Sequence, residues 1–166
     1  MKEIIVVRHA KSDWGNEALK DIDRYLNERG YSDAYSLSAW FKKNSKAPDL
    51  ILSSTATRAL STALIFARAI NQPISKFALE PELYDADTET LLKVLWQQND
   101  EAKSIMLFGH NPGLTNLCNE LAEEFYIDNL PTCGMVFFQF GCSKWKELNT
   151  KSGKVKEHIF PKEFKN

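Results

Sequence analysis

Arg8 and His9 stand directly after a short run of apolar, mostly β-branched residues, Ile4-Ile5-Val6-Val7. An arginine and a histidine at the tip of a buried strand sit on a rigid element. A neutral imidazole is a competent nucleophile near pH 7. Its attack on phosphorus gives a phosphohistidine that water can hydrolyse. Two other clusters carry matching chemistry. Arg58 closes the segment Ser53-Ser54-Thr55-Ala56-Thr57-Arg58, where a strand is expected to pass into a helix. Helix starts present free backbone N–H groups and a positive dipole end, both suited to phosphate. A guanidinium adds paired donors in a fixed geometry. His110 follows a third apolar run and precedes Asn111-Pro112 at another expected helix start. A second histidine there can hold an equatorial phosphoryl oxygen as charge develops. Asn111 either donates a hydrogen bond to that group or caps the helix.

The elements that must position these residues are legible from periodicity. Ile4 to Val7 reads as a buried strand, and so do Asp49 to Ser53 and Ser104 to Phe108. A shorter strand is expected near Phe77 to Leu79, and further strands at Met135 to Phe140 and Val155 to Phe160. Between them fall helical patterns. Ala34, Leu37, Trp40 and Phe41 share one face of a helix capped by Ser32 or Asp33 and ended before Pro48. Leu60, Ala63, Leu64, Ala67 and Ile70 line a helix over Thr57 to Ile70, stopped by Asn71-Gln72-Pro73. Asp87 or Thr88 caps a helix carrying Leu91, Leu92, Leu95 and Trp96. Pro112 suits the first position of the helix carrying Leu114, Leu117 and Leu121. Strands alternating with helices predict a three-layer α/β/α sandwich with a mainly parallel sheet. Ligands of such sheets bind beyond the carboxyl ends of the strands. All three chemical clusters fall at such ends.

The bulk numbers narrow the function further. A chain of 166 residues suits one domain, 1–166, with a single substantial core. It is 43% hydrophobic and 26% charged with a net charge of -1, which leaves no broad basic field for nucleic acid. Trp40, Phe41, Trp96 and Phe108 lie in apolar patterns and read as core rather than as base-stacking platforms. The 3 cysteines have no metal-ligand spacing, and the only other histidine, His158, lies in a plain stretch near the C-terminus. No metal site and no cofactor are expected. No run is long enough for a membrane span, and the apolar stretch before Arg8 is too short for a secretory signal. The expectation is a cytoplasmic protein with no cleaved segment.

The clusters together resemble a known family. Val7-Arg8-His9-Ala10 is similar to the opening Arg-His-Gly motif of the histidine phosphatase superfamily, the phosphoglycerate-mutase-like fold. Ser53-Ser54-Thr55-Ala56-Thr57-Arg58-Ala59 resembles its Ser-Ser-Pro-x-x-Arg-Ala segment, and Gly109-His110-Asn111-Pro112-Gly113 resembles its second-histidine motif. Leu83-Tyr84 and Leu130-Pro131-Thr132 are similar to the short, SixA-type phosphohistidine phosphatases. The likeness runs from about residue 4 to residue 140, in the family's order. It departs from the pattern at Ala10, in place of glycine, and at Thr55, in place of proline.

The resemblance implies a metal-independent phosphatase with His9 as nucleophile and Arg8, Arg58 and His110 around the phosphoryl group. Relatives protonate the departing oxygen with a glutamate. The matching stretch here offers Asp85, with Glu82 as the alternative; either can equally be a plain surface carboxylate. The loop after His9 offers Ser12 or Asn16 to the pocket, or else a turn that bonds its own backbone. An alkoxide needs a positioned acid more than an imidazole does. The expected substrate is therefore a phosphorylated histidine domain of another protein, with a small phosphorylated metabolite, such as a sugar phosphate, as the alternative.

Overall fold

The computed structural model describes residues 1–164. Six strands form one sheet in the order β3-β2-β4-β1-β5-β6: β1 (Lys2–Arg8), β2 (Leu50–Ser53), β3 (Phe77–Leu79), β4 (Ser104–Gly109), β5 (Met135–Phe140) and β6 (Gly153–Ile159). Pairs β3-β2, β2-β4 and β4-β1 are parallel, whereas β5 is antiparallel to both its neighbours. The sheet is thus mainly parallel, as expected. Helices α1 (Glu28–Asn44) and α2 (Thr57–Ala69) cover one face; α3 (Thr88–Trp96) and α4 (Gly113–Leu121) cover the other.

Strand alternation divides the core. Ile5, Val7, Met106 and Phe108 pack with Leu37, Phe41, Ala63 and Phe66 of α1 and α2. Ile4, Val6, Ile105 and Leu107 pack with Leu91, Leu95, Leu114 and Leu117 of α3 and α4. Burial on both faces explains why β1 and β4 read as unbroken apolar runs rather than alternating ones.

Three boundaries differ from the sequence reading. Helix α1 starts at Glu28, a turn before Ser32 or Asp33, because the Asn27 carboxamide accepts the Gly30 N–H at 2.8 Å. Pro112 precedes the first residue of α4 instead of occupying it. Strand β6 begins at Gly153, two residues before Val155. Of the two caps offered for α3, Asp87 is the one used, accepting the Thr90 N–H at 2.9 Å. Among the described residues, no helix is long and apolar enough to cross a membrane.

Candidate active site

The carboxyl ends of β1, β4 and β2 are adjacent, and the ladder continues past them. The His9 N–H donates to the Gly109 carbonyl at 3.1 Å, and the Ser54 N–H to the Phe108 carbonyl at 3.1 Å. The three clusters predicted at separate strand ends therefore meet. They line one pocket of about 340 Å³ with Lys11, Ser12, Trp14, Asp21, Arg24, Tyr84, Asp85, Asn111 and Thr132.

His9 lies on the floor, 6% exposed. Its Nδ1 is 2.7 Å from the Ala10 carbonyl oxygen. A carbonyl only accepts, so Nδ1 carries the proton and Nε2 keeps its lone pair. The loop holding the ring is itself fixed on both sides. The Ala10 N–H donates to the Thr62 hydroxyl at 3.0 Å, which donates to the Arg58 carbonyl at 2.8 Å. The Cys133 N–H reaches the carbonyls of Arg8 and His9, both at 3.0 Å. Gly30 packs against this loop so closely that a Cβ there would meet the Lys11 carbonyl oxygen at 2.1 Å.

His110 stands 5.3 Å from His9 between ring centroids, and its Nε2 lies 2.8 Å from the Ser54 hydroxyl. Burial holds both rings neutral. His9 is pushed down to about 3, by burial first, then by His110, Arg58 and Arg8, against the opposing Ala10 hydrogen bond. His110 is pushed down to about 4, by burial first and then by Arg58.

The arginines are braced by their ends. Arg8 donates from Nη1 to the Leu130 carbonyl at 3.0 Å. Arg58 donates from Nη1 to the Asp21 carbonyl at 2.6 Å and from Nη2 to the Asp21 carboxylate at 3.0 Å. Arg24 donates from Nε to the same carboxylate at 3.2 Å and lies 3.4 Å from the centre of the Trp14 ring. After these bonds, Arg8 Nε, Arg58 Nε, Arg24 Nη1 and His110 Nδ1 have no hydrogen-bond partner among the described residues. All four side chains line the pocket, so three guanidinium groups and two histidines surround it, an electropositive setting for an oxyanion.

The remaining sequence expectations divide. Ser12 lines the pocket and is buried, held by a bridge to Leu26. Asn16 does not reach it: the residue is exposed, and its carboxamide closes a local turn by accepting the Ala18 N–H at 3.0 Å. Asn111 lines the pocket and serves the start of α4: its carboxamide oxygen accepts the Thr115 N–H at 3.2 Å, while its amide donates to the Leu130 carbonyl at 2.9 Å and to Asn129 at 3.1 Å. Asp85 lies on the pocket rim in a left-handed conformation, φ 55°, which turns the chain there; aspartate tolerates that region better than most residues. Glu82 is exposed and outside the lining. His158 is exposed on β6 beside Phe125 and Phe160.

Asp21 and Arg24 were not anticipated. They belong to a polar stretch with no periodicity, and Asp21 meets Arg58 across 37 positions and Tyr84 across 63. The available signal was weak: two charges in a loop that follows the histidine. Among the described residues, no group of histidine, cysteine, aspartate and glutamate could hold a metal ion.

Comparison with known proteins agrees with this geometry. The model of the histidine phosphatase superfamily, branch 1, matches residues 4–111, from β1 through the second histidine. SixA from Agrobacterium tumefaciens, assigned as a phosphohistidine phosphatase, superimposes with a TM-score of 0.82 at 29% identity, covering 96% of this chain and 98% of that one. The protein histidine phosphatase SixA complexed with tungstate superimposes with a TM-score of 0.83 at 21% identity, covering 98% and 99%. An uncharacterized protein of Mycobacterium tuberculosis is 33% identical over 117 residues, 70% of each chain. With a phosphoglycerate-mutase-like sheet and the superfamily's motifs in order, this chain belongs to the histidine phosphatase superfamily in its SixA-type form, a metal-independent phosphatase.

Proposed function

We propose that the chain is a protein phosphohistidine phosphatase acting through a phosphohistidine on its own His9. The observation that supports this best is the convergence of Arg8, Arg24, Arg58 and His110 on one pocket with a histidine whose Nδ1 is tied to the Ala10 carbonyl, which leaves Nε2 as the nucleophilic nitrogen. The phosphoryl oxygens would bond to those arginines and to His110, with phosphorus in front of Nε2. His9 Nε2 forms a bond to phosphorus as the bond to the leaving nitrogen breaks. Water then attacks the phosphohistidine, the electron pair of the broken P–N bond returns to Nε2, and phosphate leaves. Neutral rings at working pH keep the nucleophile active without a general base.

The substrate follows from what surrounds the leaving group. Asp85 alone of the two candidate acids lies on the rim, and it is exposed, with no hydrogen bond among the described residues. A site without a firmly held acid suits a phosphorylated imidazole, which departs more readily than an alkoxide. Trp14, 69% exposed, and Asp85 stand open to solvent on the rim, so a histidine displayed on another protein can approach. The three free cysteines suit a reducing compartment, and we place the protein in the cytoplasm. The test is hydrolysis of a phosphorylated histidine domain beside a panel of phosphate monoesters. Preference for the domain is expected; strong preference for the monoesters would turn the reading to a metabolite phosphatase.

A further inference from the structure

We infer that Asp21 sets the charge of the leaving group that this site accepts, favouring a phosphoryl group carried on a cationic partner and opposing one carried on an anionic partner. The inference rests on the phosphatase reading above and refines its substrate class.

Asp21 is the hub of the pocket mouth. Its carbonyl and carboxylate take both terminal nitrogens of Arg58, at 2.6 and 3.0 Å. The same carboxylate takes Arg24 Nε at 3.2 Å and the Tyr84 hydroxyl at 2.5 Å. The Tyr84 ring in turn meets His110 edge-on, with centroids 5.5 Å apart. Despite these bonds the Asp21 side chain is 52% exposed, whereas His9 beneath it is 6% exposed. In-line displacement places the departing atom opposite the attacking one. With His9 on the floor, the leaving group must point at the mouth, where the Asp21 carboxylate stands.

That placement matches the chemistry of a phosphorylated imidazole. Protonated on its distal nitrogen, such a ring is a cation. His9 Nε2 bonds to phosphorus, the old P–N bond breaks, and its electron pair goes to the departing nitrogen. The ring leaves as neutral imidazole, because the distal nitrogen already carries the proton. No proton moves in the step, so the site needs an anion beside the ring rather than an acid. Asp21 is held ionised, pushed down to about 2 by the Tyr84 hydrogen bond first and then by Arg58 and Arg24. It therefore presents charge at every working pH and donates no proton. A leaving molecule bearing its own carboxylate or second phosphate is repelled by the same group.

The test compares kcat/KM for three probes: phosphoimidazole, phosphocholine with its cationic leaving group, and 3-phosphoglycerate with its anionic one. The wild-type chain should prefer phosphocholine to 3-phosphoglycerate, and Asp21→Asn should cut that preference about tenfold, a change of about 1.4 kcal/mol. Asp21→Glu, which keeps the charge, should restore it. Equal losses on all probes, or an unchanged ratio, would reduce Asp21 to a brace for Arg58 and overturn the inference. Should Asp21→Asn fail to fold, the wild-type ratio decides: no preference for the cationic monoester overturns it. Failure of the phosphohistidine reading looks different, since phosphoimidazole would then be untouched while the monoester preference still responded to Asp21.

Discussion

Acidifying the protein from pH 7 to pH 5 should leave both pocket histidines largely uncharged. The rings of His9 and His110 are 5.3 Å apart, so two charges there would repel by about 3 kcal/mol at an effective dielectric constant near 20. That repulsion, worth about two pH units, opposes charging the second ring once the first is charged. Burial is the largest cause for each ring and the neighbouring guanidinium groups add to it, which places His9 at about 3 and His110 at about 4 instead of the ordinary 6.5. The assay is a titration of the ring carbons by NMR on histidine-labelled protein. The chain has 3 histidines, so single substitutions assign every signal. Between pH 7 and pH 5 the His9 signal should stay in place and the His110 signal should move by only about a tenth of its full change. A midpoint near 6.5 for either ring in the folded protein would refute the claim that the nucleophile is kept neutral by its surroundings.

The same two shifts carry a stability consequence. The unfolded rings take up protons below about 6.5 while the folded ones do not, so this contribution is fully present above pH 6.5 and lost as pH falls towards about 4 and then 3. Urea unfolding at pH 7 and pH 5 should show the loss, and a His9→Asn, His110→Asn variant should show a shallower slope. Asp85→Asn should lower hydrolysis of phosphate monoesters less than about tenfold, short of the roughly 100-fold or more expected of a positioned acid, and Glu82→Gln should leave their rates unchanged; steady-state kinetics on one monoester series checks both. Gly113→Ala should cost about 1–3 kcal/mol, read as a lowered Tm, because its Cβ would lie 2.0 Å from the Ala86 carbonyl oxygen.

Much of this site was legible because its residues stand where strand periodicity ends. Arg8, His9 and His110 each follow a run buried on both faces, and such runs can only be central strands of a covered sheet. Arg58 was legible for the complementary reason, at the start of the strongest helical pattern. Helix α1 was read too short because its first turn is polar: Asn27 caps it, and Gly30 serves close packing against Lys11, so apolar periodicity begins only at Ala34. Asn16 and Asp21 show the limit within loops. Both are polar residues after His9, and only the path of the chain decides that one closes an exposed turn while the other ties Arg58 to Tyr84. Nothing in local composition separates them.

Trapping the covalent species reaches the heart of the matter. The chain is mixed with a phosphorylated substrate, quenched within milliseconds in alkali, where N-phosphoryl groups survive, and digested for mass spectrometry. The account predicts one phosphoryl group on the peptide containing His9, at that residue, and neither label nor turnover in His9→Ala. Label on a different side chain, or undiminished turnover by His9→Ala, would contradict it.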